Sequence, residues 1–298
     1  MSLTVAVPLG VGSALVYGTS IVFQHEAASS APGDAHTSRL MSLLRNPRWL
    51  LAIGGDFVGF VLGILALSAG SVVVIQPLVV LMLPVALVVG WLAGGPRPRP
   101  ADFAGSLAIV AGLGVFLALI GHPRAGRVPH SRYVAVTILI VLGVGIVAGL
   151  AVTGRRKVVR GVVYGLVAGT YYGTLGVMVD AASDTVSARG WQALVTTGRG
   201  LVPLIGVALL GVGGIVLTQL SFQVGALAAT LPASLGADPF TGVLIGAVLL
   251  DERLPYDAVH LVLYALCLGA VIAGAVRLAG LATQGRQGRR APEPRQAE

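Results

Sequence analysis

The chain has 298 residues, of which 55% are hydrophobic and 11% charged, with a mean hydropathy of +0.88. Soluble domains carry about 25% charged residues, so a water-soluble globule is excluded, and apolar runs that are continuous rather than alternating argue against a β-barrel. The net charge of +8 does not point to a nucleic-acid partner, because the basic residues fall between apolar runs and in the C-terminal tail, as topology signals do.

Several apolar runs are long enough to cross a bilayer as helices. In chain order, nine spans are expected, at 3–24, 48–68, 71–93, 101–120, 132–150, 158–179, 200–221, 225–250 and 256–278. The first run lacks a basic segment before it and reads as a retained span, not a cleaved signal. The tail from Ala279, rich in Arg, Gln and Pro, is expected to be disordered. Loops after spans one, three, five and seven, with the tail, hold fourteen Lys and Arg; the opposite side holds six. This asymmetry predicts a plasma-membrane protein with its N-terminus outside and its C-terminus in the cytoplasm. Cys267 is the single cysteine. It lies within a span and reads as a small apolar filler.

Spans three and eight share an unusual pattern. At an offset of 155 residues, Gly70, Pro77, Pro84, Pro100 and Asp102 match Gly225, Pro232, Pro239, Pro255 and Asp257 without a gap. Tyr17-Gly18-Thr19 matches Tyr172-Gly173-Thr174, Gly59 matches Gly214, and Gly114 matches Gly269. Spans one to four therefore pair with spans six to nine, and span five is the connector. An even number of spans plus one crossing turns the second copy upside down, the design of many secondary transporters. The expected organisation is a first four-helix repeat over 1–120, a connector over 121–157, a second repeat over 158–278 and the tail over 279–298. The fold class is an all-α polytopic membrane protein of two inverted repeats.

Two acids lie mid-span, Asp56 and Asp238, with no Lys or Arg at that depth to neutralise them. A charge there costs about 2.5–3.5 kcal/mol on insertion scales, so such residues face a cavity, a partner or an ion path. The alternative is a protonated acid bonded to a neighbouring helix. Thr230, Ser234, Asp238 and Thr241 fall on one helical face, whereas the first copy has Ile75, Val79, Leu83 and Ala86 there. Pro77, Pro84, Pro232 and Pro239 are expected to break their helices. Each removes an N–H donor, leaving carbonyls such as those of Leu235 and Ala228 free for a cation or a cavity water. Kinks that serve packing alone are the other account of the prolines. Gln76, Gln219, Ser221, Gln223, Tyr17, Thr19, Ser20, Tyr171, Tyr172 and Thr174 are further candidates to line a cavity, or to bond between helices. Gln24, His25 and Glu26 close span one, where His25 and Glu26 gate or collect cations or form a solvated interfacial patch. There is no phosphate-binding loop, nucleophile elbow, zinc-protease motif or Cys/His cluster, so no enzyme activity, cofactor or ATP-driven step is expected.

Nine short spans, two inverted copies and a broken helix ending in Asp251-Glu252-Arg253-Leu254 resemble the drug/metabolite transporter superfamily, in particular its EamA-like members. Within it the chain is most similar to the NIPA-type magnesium transporters. The pieces that carry this are Tyr17-Gly18-Thr19-Ser20, Gly55-Asp56-Phe57, Ala66 to Leu78, and Thr218-Gln219 with Ala226-Leu227. The resemblance implies a secondary carrier of Mg²⁺ or another divalent cation that works by alternating access. Asp56 and Asp238 would supply the charge at a tentative metal site, and Thr230, Ser234, Thr241, Gln76, Gln219, Tyr17 and Tyr172 would line the path. The alternative is a proton-coupled exporter of a small metabolite, amino acid or drug, with Tyr17, Tyr171, Tyr172 and Phe240 against the substrate. The expected partners are membrane lipid and a small cation or organic substrate, with a homodimer as a candidate assembly and no nucleic acid.

Overall fold

A computed structural model describes residues 3–32, 36–69, 72–120, 130–250 and 257–288. Among them every regular element is helical. Eight helices are long and apolar enough to cross a membrane, which makes the chain a multi-span helical membrane protein. They are α1 (Leu3–Ser29), α3 (Pro47–Ala69), α6 (Pro100–Ile120), α7 (Ser131–Ala151), α8 (Lys157–Arg189), α10 (Gly198–Val224), α11 (Leu227–Leu249) and α12 (Ala258–Gly288). Two short helices, α2 (His36–Leu43) and α9 (Ala193–Thr196), fall in stretches expected to be plain loops. The expected third span is instead two shorter helices, α4 (Val72–Val80) and α5 (Met82–Leu92), hinged at Leu81.

The hinge has a local cause. Pro84 has no N–H for the carbonyl of Val80, and Leu81 closes a tighter turn by donating its N–H to the Leu78 carbonyl at 3.2 Å. The matching prolines of α11 behave differently. Pro232 and Pro239 lie inside one continuous helix and Pro77 lies inside α4, so of the four expected breaks only the one at Leu81, ahead of Pro84, occurs. The reason is packing. Gly161, Gly165, Gly169 and Gly173 form a stripe of missing side chains along α8 that brings α11 to backbone contact. A Cβ added at Gly165, Gly169 or Gly173 would meet the carbonyl oxygen of Thr230, Ser234 or Asp238. A helix clamped along its length keeps its course despite two missing donors.

Several contacts recur at the 155-residue offset. The Tyr17 ring packs on Gly59, and the Tyr172 ring packs on Gly214. Gly10 meets Ile75 and Leu78, and Gly165 meets Thr230 and Ala233, the counterparts of those residues. Helix α1 packs on α3, α4 and α5, as α8 packs on α10 and α11. Helices α6 and α12 pack against each other: Gly105 against Gly274 and Leu278, Gly112 against Cys267 and Val271. Rising numbers on α6 meet falling numbers on α12, so the pair is antiparallel, and it crosses where Gly112 touches Cys267, its own counterpart. Helix α7 lies apart from this scheme, on α8 and α10. Helix α12 continues to Gly288, past the expected start of the tail at Ala279. The Asp251–Leu254 turn, the loop 121–129 and the tail 289–298 lie outside the described residues.

Candidate functional site

Asp56 sits near the middle of α3, and Asp238 is the twelfth residue of the 23-residue α11. The hydroxyls of Tyr17 (α1) and Tyr172 (α8) each lie within electrostatic reach of both carboxyls. The two acids therefore border one central region between α1, α3, α8 and α11. Tyr172 is also held from behind, its hydroxyl 3.3 Å from Thr218 Oγ1.

Asp56 ends a chain of side-chain amides. Gln24 Nε2 donates to Asp56 Oδ2 at 2.6 Å, and Gln219 Nε2 donates to Gln24 Oε1 at 3.0 Å. The chain joins α3, α1 and α10, and Gln24 and Gln219 are each only 2% exposed. Both ends finish on an acceptor: Asp56 Oδ1 and Gln219 Oε1 are buried and lack a hydrogen-bond partner. A buried acceptor without a donor costs about 1–3 kcal/mol. Each end of the chain therefore calls for a donor or a cation, and a carboxylate oxygen suits a hard cation. Among the described residues, no three His, Cys, Asp or Glu cluster as a closed metal site would require. In the sequence Gln24 is one of the polar residues closing span one; the chain it builds depends on contact between residues 195 positions apart.

Asp238 lines a cavity of about 590 Å³ between α4, α5, α6, α8 and α11. Its walls include Val80, Met82, Leu113, Leu117, Val177 and Val243, and Asp180, Leu235 and Pro239 also line it. Pro239 offers no N–H to the Leu235 carbonyl, so this carbonyl has no intrahelical partner. Asp180 is a site residue that the sequence reading left in a loop. Helix α8 has 33 residues, hence a length of about 50 Å, which exceeds the ~30 Å hydrocarbon core. Asp180 lies two turns beyond Gly173, which touches the Asp238 backbone, so it stands about 10 Å nearer that end of the bundle than Asp238. The signal was present as an acid seven residues after Gly173 on the same helical face.

The remaining candidates divide. Thr230 is 1% exposed, and its hydroxyl donates to the Ala226 carbonyl of its own helix at 3.2 Å, while its methyl packs on Gly161 and Gly225. Ser234 turns its carbonyl to Gly169. Thr241 is half-buried and lies outside the cavity lining. The stripe Thr230, Ser234, Asp238 is thus largely the seam between α11 and α8, and of the three only Asp238 reaches the cavity. Pro77 packs on Gly114 of α6, and Pro84 is half-buried in α5. Gln76 lies in α4, with its side chain outside the described ones. Tyr171 does not face the centre. It packs on Gly145 and Gly213, and its hydroxyl donates to the Leu142 carbonyl of α7 at 3.2 Å. Phe240 stacks on Phe116 with ring centres 4.1 Å apart. His25 turns inward, with Nε2 3.3 Å from the Gly225 carbonyl and its ring edge-on to Phe222, whereas Glu26 faces outward.

A protein of Corynebacterium glutamicum described as uncharacterized is similar to this chain, with 28% identity over 255 residues, covering 83% of this chain and 85% of that protein. No protein-family model matches the chain. No solved structure matches it.

Proposed function

We propose that the chain is a secondary transporter of Mg²⁺ or a similar divalent cation, with the drug/metabolite-transporter arrangement of two inverted four-helix repeats and with Asp56 and Asp238 on the central path. The observation that carries this reading is the pair of intramembrane acids bordering one region, with two unpartnered acceptor oxygens, Asp56 Oδ1 and Gln219 Oε1, on the chain that ends at Asp56. Mg²⁺ keeps most of its waters and needs only one or two carboxylates, so the absence of a closed ligand cluster among the described residues is compatible with it as cargo. The recurring contacts and the antiparallel crossing of α6 and α12 at Gly112 and Cys267 support inverted repeats. Alternating access then follows as a rocking of one repeat against the other, with the N-terminus outside and the C-terminus in the cytoplasm of a plasma membrane.

A second reading rests on the cavity walls. They are mainly apolar, and the Phe116–Phe240 stack lies nearby. That lining suits an organic substrate, moved in exchange for protons held by the two acids. Purified protein in liposomes loaded with a Mg²⁺ indicator separates the two. The first reading expects Mg²⁺ flux that falls at least about tenfold in Asp56→Asn and in Asp238→Asn, with each variant folded. Proton movement driven by an organic substrate, with no Mg²⁺ flux, would replace it with the second.

A further inference from the structure

A second cavity, of about 750 Å³, lies away from Asp238 on the outer flank of α1 and α3, where α1 ends and α3 begins. It carries one charge of each sign, Glu26 and Arg48. Glu26 is in the last turn of α1 and Arg48 in the first turn of α3. Each is therefore at the wrong end of its helix. The carbonyls that finish α1 make that end partly negative, and the amides that open α3 make that end partly positive. Nor are the charges needed as caps. Ser30 Oγ donates to the Glu26 carbonyl at 2.6 Å, and Asn46 Oδ1 accepts the Arg48 N–H at 3.0 Å. The two side chains line one cavity yet form no ion pair with each other.

Two opposite charges, each held against its own helix and apart from the other, become favourable when a ligand brings the complementary pair. An anion would meet the Arg48 side chain, because the first-turn N–H groups of α3 are already capped by Asn46, and the positive end of the helix would add only its field. A cation would meet Glu26 and the carbonyl end of α1. The rest of the cavity specifies what else the ligand carries. Phe23 and Leu51, 41% and 77% exposed, form its outer wall. Helix α1 has 27 residues, a length of about 40 Å, so its end reaches past the hydrocarbon core into the headgroup layer. Phe23, six residues before that end, stands about 9 Å deeper, where an exposed apolar wall meets acyl chains. The acceptors around Glu26 are best used by a cation with N–H donors rather than by a quaternary ammonium.

We infer that this flank is a binding site for a zwitterionic aminophospholipid, with the phosphate at the Arg48 side chain, the primary ammonium at the Glu26 carboxylate, and an acyl chain along Phe23 and Leu51. The inference does not depend on the cargo of the central path.

Native mass spectrometry of the full chain in detergent, offered equal amounts of phosphatidylethanolamine, phosphatidylcholine and phosphatidylglycerol with the same acyl chains, tests it. Phosphatidylethanolamine adducts should exceed either competitor by about threefold or more. Glu26→Gln should remove that preference while leaving phosphatidylglycerol adducts in place. Arg48→Gln should lower all three, and Glu26→Asp and Arg48→Lys should keep the wild-type order, which shows that loss in the other variants is not unfolding. Equal retention of phosphatidylethanolamine and phosphatidylglycerol by the wild type would overturn the inference, since positive charge alone would explain it. An unchanged preference in Glu26→Gln would overturn it too. Displacement of the adduct by soluble O-phosphoethanolamine at the same concentration would assign the site to a soluble zwitterion and overturn the lipid identity.

Discussion

The half built from α1, α3, α4, α5 and α6 and the half built from α8, α10, α11 and α12 share a frame and differ in chemistry. Tyr17 on Gly59 and Tyr172 on Gly214 are one contact made twice. The acids are not. The counterpart of Asp56 is Gly211, and that of Asp238 is Leu83. The amide chain is also private: Gln24 corresponds to Val179, and Gln219 to Ile64. The small-residue seam differs by two methyls, with Ala6, Gly10, Ala14 and Gly18 on α1 against Gly161, Gly165, Gly169 and Gly173 on α8. The first half, with the methyls, has a third helix hinged at Leu81, and the second half, without them, has one that runs straight. The shared positions are those where helices touch. The positions that diverge carry the acids and the polar chain, which is what a common scaffold with one asymmetric path requires.

The largest expected effect comes from making the second half chemically like the first. Asp238→Leu, which installs the residue of the matching position, should reduce transport at least about tenfold. Adding Leu83→Asp should not restore it, because Asp238 lines the cavity together with Asp180 and Leu83 does not line it. Restoration by the double variant would mean that the halves are interchangeable. Next in size is Gly169→Ala, which gives α8 the residue that α1 already has. Its Cβ would meet the Ser234 carbonyl, and backbone cannot yield as a side-chain tip can. Overpacking of this kind costs about 1–3 kcal/mol, readable as a lowered thermal midpoint in detergent. A neutral result would show that the seam does not hold α11 straight.

Gln24→Leu probes the polar chain. It removes the partner of both Asp56 and Gln219, and stranding buried polar groups costs about 1–3 kcal/mol. Gln24→Leu combined with Gln219→Leu should cost less than the two single variants together, because fewer polar groups are left without partners. Strict additivity would show that the three side chains do not act as a unit.

Much of this could be read from the residues. Apolar run length marked nine spans, of which eight are helices long enough to cross and the third is the pair α4 and α5, and the offset of prolines and glycines marked positions whose contacts recur. Mid-span acids stood out because charge in lipid is costly. What escaped were facts set by packing. Pro232 and Pro239 carry the same local signal as Pro77 and Pro84, and α11 stays continuous where the glycine stripe of α8 packs along it. Tyr171 and Tyr172 are neighbours in sequence but lie about 100° apart around the helix, so one faces α7 and the other the centre. Asp180 reads as loop because α8 outlasts the membrane core. The Gln24–Gln219 bond needs α1 and α10 side by side, which no local pattern specifies.

Matched tyrosines give a smaller test of the halves. Tyr172 has a partner in Thr218, and Gly63 stands at the matching position in the first half. Tyr172→Phe should therefore cost about 0.5–1.5 kcal/mol, whereas Tyr17→Phe should cost less, by thermal unfolding of the two variants side by side. Equal losses would mean that the Tyr172–Thr218 bond adds nothing.

The smallest effect concerns the matched aspartates at the starts of α6 and α12. Asp102 Oδ2 accepts the Arg99 N–H at 2.6 Å, and Asp257 Oδ1 accepts those of Val259 and His260 at 3.1 and 3.2 Å. The His260 backbone bond, then its ring, then the Val259 amide hold the Asp257 carboxyl below the ordinary carboxylate value. A lowered folded-state pKa means that the stabilisation is present above the unfolded pKa, about 3.9, and is lost as pH falls through the folded value. Amide exchange in the first turn of α12 should therefore be flat from neutral pH down to about 4, after correction for intrinsic exchange, and rise only below it. The group is fully exposed, so the change stays local to that turn and leaves the global midpoint unmoved. Asp257→Asn keeps an acceptor without a charge, and it should hold the turn while abolishing the pH step. A step that survives in Asp257→Asn would place its origin in another group.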